Sequence, residues 1–113
     1  MFEGNGAGSQ RAVRGVAALV REVGDLLTEM ENGLLGMEAA GGDPELVNSV
    51  FRAAHTIKGS SGLFGFDDVV HLTHAMESVL DRVRCDELAF STELVEVLLP
   101  CKDEIAAMVA SHA

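Results

Sequence analysis

The chain has 113 residues, with 18 Asp and Glu against 8 Lys and Arg and a formal net charge of −10. One domain burying roughly two-thirds of its surface is expected at this length, and the acidic balance excludes nucleic acid and anionic membrane surfaces as partners, because their phosphates would be repelled. No apolar run approaches the ~20 residues of a membrane span, "MFEGNGAGSQ" lacks a signal-peptide layout, and Cys85 and Cys101, sixteen residues apart with no second pair, fit neither a zinc knuckle nor a redox dithiol and read as small buried apolar residues of a cytoplasmic protein.

Residues 1–9, where three glycines alternate with small and polar residues, read as a flexible arm, and 10–113 as one helical domain. From Arg11 onward Val16, Val20, Val23, Leu27, Met30, Leu34 and Met37 recur in steps of four and three, the seam of a helix over residues 11–40. Gly15, Gly24, Gly33 and Gly36 weaken it. In "GGDPELV", Asp43 is placed to cap a second helix and Pro44 suits its first position, since the missing N–H was unpaired anyway. That helix runs to Gly62 with Val47, Val50, Ala54 and Ile57 on its core side. After the short link "LFGF", Asp67 or Asp68 is expected to cap a third helix bearing Val69, Leu72, Met76, Val79, Leu80 and Val83. Ser91 then caps a last helix with Leu94, Val97, Leu98, Cys101, Ile105 and Met108 on one side, which Pro100 is expected to kink or split. Short links make neighbours antiparallel, and no strand alternation is present. The expected fold is an all-α, antiparallel up-and-down four-helix bundle.

Within "FRAAHTIKGSSGLF", His55 lies about 120° from the centre of the core stripe, on the wet flank of the second helix. Gly59 and Gly62 lie beside it, each costing a helix on the order of 1 kcal/mol relative to alanine. They strip bulk from around the ring and leave an approach path for another protein's reacting group. In an antiparallel hairpin closed by "LFGF", Glu77 on the third helix is offset from His55 by three residues, only ~4.5 Å of rise. A glutamate spans that distance. A carboxylate accepting from one ring nitrogen would fix the tautomer, leave a lone pair on the other nitrogen and raise its basicity, which describes a nucleophilic imidazole.

The stretches "AAHTIKGSSGLFGF" and "HLTHAMESVLDRVR" resemble the histidine-containing phosphotransfer (HPt) domains of CheA-type chemotaxis histidine kinases, over residues 11 to 110. The resemblance implies that His55 takes the γ-phosphoryl group of ATP from a separate kinase catalytic domain. It then passes that group to an aspartate of a response regulator of the CheY or CheB kind. It further implies that Glu77 orients Nδ1 of His55, that phosphate rides on Nε2, and that Lys58 and His74 assist from the surrounding shell. The glycine-rich first helix and Pro100 depart from the family pattern. The resemblance also favours a piece excised from a larger kinase. There is no G-x-x-x-x-G-K-[ST] run and no carboxylate cluster placed to hold Mg²⁺ near His55, so no cofactor is expected on this domain. ATP and Mg²⁺ would be supplied at the kinase domain, and Mg²⁺ again at the receiver.

Two other readings compete. His71, His74 and Glu77 follow a three-and-three spacing that resembles helical metal sites, although His71 and Glu77 lie about 120° apart. A plain adaptor bundle, using the seam of the first helix, is the other.

Overall fold

The structure is a computed structural model that describes the backbone of residues 3–112 and the side chains of 15–112. It contains four helices: α1 (Glu3–Ala40), α2 (Pro44–Leu63), α3 (Asp67–Arg84) and α4 (Thr92–His112). They pack in cyclic order, α1 on α2, α2 on α3, α3 on α4 and α4 back on α1, which is an antiparallel up-and-down bundle. The extents are 59 × 22 × 20 Å. The long dimension is that of α1 itself, whose 38 residues rise ~1.5 Å each.

Local chemistry places the boundaries. Asp43 accepts a hydrogen bond from the Glu45 amide at 2.9 Å, and Pro44 occupies the first position of α2. Ser91 Oγ accepts from the Leu94 amide at 3.2 Å. At the α2–α3 turn, Gly65 takes φ 73°, a left-handed conformation that costs glycine nothing. The Gly65 and Phe66 amides there donate to the Gly62 and Ser61 carbonyls.

The core holds Val23, Leu27, Met30 and Leu34 of α1, Val50, Ala54 and Ile57 of α2, Val69, Met76 and Leu80 of α3, and Val95, Leu98 and Ile105 of α4. Several expectations need correction. α1 begins at Glu3, so residues 3–9 continue the helix instead of forming an arm; adding residues to an existing helix avoids the cost of a new nucleus. The side chains of 1–14 lie outside the described residues. Phe66, not Asp67 or Asp68, occupies the N-cap of α3. Both aspartates fall in its first turn, where negative charge is favourable, and Asp68 accepts from the Val69 amide at 2.8 Å. On α4, Val97 is 63% exposed while Val95 and Val109 are buried. Apolar residues at 94, 95, 97, 98 and 99 occupy too many faces for spacing alone to select the inner one. α4 is continuous through Pro100. Pro100 and Glu96 are both exposed, so water can replace the N–H that the Glu96 carbonyl loses. Cys85 is exposed, because it follows the last turn of α3, and Cys101 is half-buried.

Glycines in α1 serve the packing. A Cβ on Gly33 would stand 2.6 Å from Val50 Cγ2, and one on Gly36 3.2 Å from Leu46 Cδ1, so their absence lets α1 approach α2 closely. Around Gly24 there is nothing within 4 Å. Gly24→Ala should therefore raise stability by about 1 kcal/mol. Gly33→Ala, which forces a β-branched core side chain to move, should lower it by about 1–2 kcal/mol net of the propensity gain. Urea denaturation of the two variants checks the opposite signs.

Candidate functional site

With Val50, Ala54 and Ile57 buried on one face of α2, His55 falls on the flank and turns outward, with 64% of its side chain exposed. The "LFGF" turn brings α3 back antiparallel, and Glu77 meets it from the other helix with only 8% of its side chain exposed. His55 Nδ1 lies 3.0 Å from Glu77 Oε1 and 3.4 Å from Oε2. Lys58, one turn beyond His55, donates from Nζ to Oε2 at 2.8 Å.

Electrostatics decides the protonation pattern. Burial pushes the Glu77 carboxyl up, but the Lys58 hydrogen bond and then the His55 hydrogen bond outweigh it and hold the group below the ordinary glutamate range. Glu77 is thus ionised at neutral pH and can only accept. Nδ1 must carry the proton, which leaves the lone pair of the neutral ring on Nε2, the nitrogen across this largely exposed ring from Glu77. A carboxylate behind an imidazole also stabilises positive charge that develops on the ring when Nε2 attacks an electrophile.

The expected members of the site are not all brought together. Lys58 engages Glu77 directly, a contact that its spacing from His55 alone does not disclose. His74 is exposed, and among the described residues its ring hydrogen-bonds to none of His55, Lys58 or Glu77. Gly59 and Gly62 are exposed, one and two turns beyond His55 on α2. A Cβ at Gly59 would meet nothing within 4 Å, and one at Gly62 only Val70 Cγ2 at 3.8 Å, so packing does not require glycine at either position. The alternative metal site is not assembled. Among the described residues no group of three or more His, Cys, Asp or Glu is placed to hold an ion, and Glu77 turns inward to Lys58 and His55.

A family model described as "Hpt domain" matches residues 15–111. The chain belongs to the Hpt domain family. It is 43% identical over 86 residues to the chemotaxis protein CheA of Rhizobium meliloti, covering 76% of this chain and 11% of that protein. Among solved structures, the CheA phosphotransferase domain from Thermotoga maritima superposes with a TM-score of 0.81 at 33% identity, over 85% of this chain and 91% of that one. The phosphorylated P1 domain of CheA3 in complex with CheY6 from R. sphaeroides gives a TM-score of 0.81 at 31% identity, over 87% and 77%. This Hpt domain spans about a tenth of the length of the curated CheA relative described above. Among its described residues no helix is long and apolar enough to cross a membrane.

The Glu77 carboxylate links the site to stability. Because its folded-state pKa is depressed, its contribution is complete above the ordinary glutamate range and is lost as the pH falls through the folded value. Lys58→Met removes the leading influence that opposes burial, so in that variant the loss should begin at higher pH. Urea midpoints followed from neutral into acid should separate the two proteins, with the variant weakening first.

Proposed function

We propose that this Hpt domain is the phosphoryl carrier of bacterial chemotaxis two-component signalling, working in the cytoplasm as part of a larger CheA-type protein, and that His55 is its phosphoacceptor. The observation that carries the reading is the exposed imidazole with Nδ1 tied to a buried, ionised Glu77 and, among the described residues, no partner on Nε2. It is supported by the family match and by the CheA relatives.

In the proposed reaction the Nε2 lone pair attacks the γ-phosphorus of ATP held by a kinase catalytic domain. The N–P bond forms as the bond to the ADP oxygen breaks, and Glu77 offsets the positive charge that appears on the ring. A receiver aspartate of a CheY- or CheB-type response regulator then attacks the phosphorus. The N–P bond breaks and its electron pair returns to Nε2. Since the transfer depends on positioning and charge stabilisation, the domain's share of catalysis is presentation of the nucleophile. ATP and Mg²⁺ belong to the kinase domain and Mg²⁺ to the receiver in this scheme. Lys58 and His74 are proposed to support the ring's surroundings, Lys58 through its grip on Glu77. Gly59 and Gly62 are proposed to keep the approach to Nε2 clear.

Incubation with ATP and a CheA-type kinase core, followed by intact mass at neutral and acid pH, tests the reading. One phosphoryl group that is lost in acid and absent from His55→Gln is expected; a label that persists in the variant would place the acceptor elsewhere. Glu77→Gln should fold yet accept phosphate about 10- to 100-fold more slowly, because the amide can donate to Nδ1 and stabilise the wrong tautomer. Gly59→Leu should fold at least as stably, the site being open, while transferring more slowly to the receiver. Wild-type transfer by that variant would assign the glycine another purpose.

A further inference from the structure

The Nδ1 hydrogen bond alone leaves the plane of the His55 ring underdetermined. Hydrogen bonds weaken steeply only below about 120°, and Glu77 offers two oxygens, at 3.0 and 3.4 Å, between which the ring can tilt. Most of the imidazole surface is exposed, so the core does not restrict it. The direction of the Nε2 lone pair follows the ring plane, and a tilt sweeps that lone pair away from the line of attack.

A second contact supplies what the hydrogen bond lacks. Phe51 precedes His55 by one helical turn on the same face of α2, and its ring lies parallel to the imidazole, 8° between planes and 6.3 Å between centroids. This is an offset stack within the range of aromatic pairs. Phe51 is itself held. It packs half-buried against the core, and the guanidinium of Arg84, from the last turn of α3, sits 4.0 Å from its ring centroid. That distance is well inside cation–π range. Arg84 is in turn 3.4 Å from Asp81 on its own helix. A column of Arg84, Phe51 and His55 therefore ties the imidazole to the far end of α3, while Glu77 ties it to the middle of the same helix.

We propose that Phe51, clamped by Arg84, is a positioning residue that sets the plane of the His55 ring and so aims Nε2. The catalytic consequence rests on the phosphoacceptor reading of His55; the restriction of the ring does not.

The test measures ring order at His55 by ¹³C relaxation of its imidazole carbons, and phosphoryl acceptance at saturating domain concentration, in the wild type, Phe51→Leu, Phe51→Tyr and Arg84→Gln. Phe51→Leu keeps an apolar side chain but removes the flat face. It should lower ring order and reduce kcat about tenfold with KM unchanged. Phe51→Tyr should restore both. Arg84→Gln, which alters no core side chain and guards against a folding defect in the first variant, should shift both in the same direction by a smaller amount. Wild-type ring order in Phe51→Leu, or failure of Phe51→Tyr to restore it, overturns the proposal, as does a lowered ring order with unchanged kcat. Absence of phosphate on the wild-type protein itself would instead overturn the phosphoacceptor reading, and ring order, measured without any kinase, would still decide whether Phe51 holds the imidazole.

Discussion

A carboxylate enclosed between two helices must be given charge and hydrogen bonds, or it will take up a proton. Glu77 meets that constraint with Lys58 and His55, both from the facing helix. Its burial would otherwise favour the neutral acid, which could donate as well as accept and would no longer dictate which ring nitrogen holds the proton. The stagger of α2 against α3, set by the turn at Gly65, therefore controls the chemistry of a solvent-facing atom on the other side of the imidazole. Lys58 acts on His55 through the carboxylate they share.

The glycines divide by what surrounds them. Gly33 faces Val50, which leaves no room for a methyl group, and Gly36 faces Leu46, which leaves only a tight fit, so their cost in helix propensity is offset by close helix approach. Gly59 has open space beyond it and a Cβ at Gly62 would make only an ordinary contact with Val70, so nothing in the packing accounts for that cost. Within this helix pair glycine facing inward serves close contact, and in the proposed function glycine facing outward serves clearance. The bundle beneath is rigid where the site needs it: Ala54 and Ile57, on either side of His55 in the chain, are completely buried.

The architecture was legible because α1, α2 and α3 carry amphipathic stripes broken by strong turn chemistry at Asp43–Pro44 and at "LFGF". The pairing of His55 with Glu77 was legible as well, since a tight turn between antiparallel helices converts residue offsets into distances. Where many faces are apolar, as in α4, spacing loses its power to choose, and Val95 lies inside where spacing favours Val97. The Lys58–Glu77 bond and the Arg84–Phe51 contact depend on where long side chains turn after leaving the helix, which periodicity does not encode. Phe51 did leave a signal, an aromatic one turn before the histidine, but such a residue also fits a core edge and gains a second meaning only beside Arg84.

The exposure of Nε2 on an open helical flank has a consequence for traffic. There is one reactive nitrogen and one solid angle from which to reach it, so in the proposed role the donor and the recipient of the phosphoryl group cannot sit on the domain together. Each must leave before the other arrives. Signal passing through such a relay moves in discrete handoffs, and its throughput is governed by how quickly partners dissociate as much as by how well they bind.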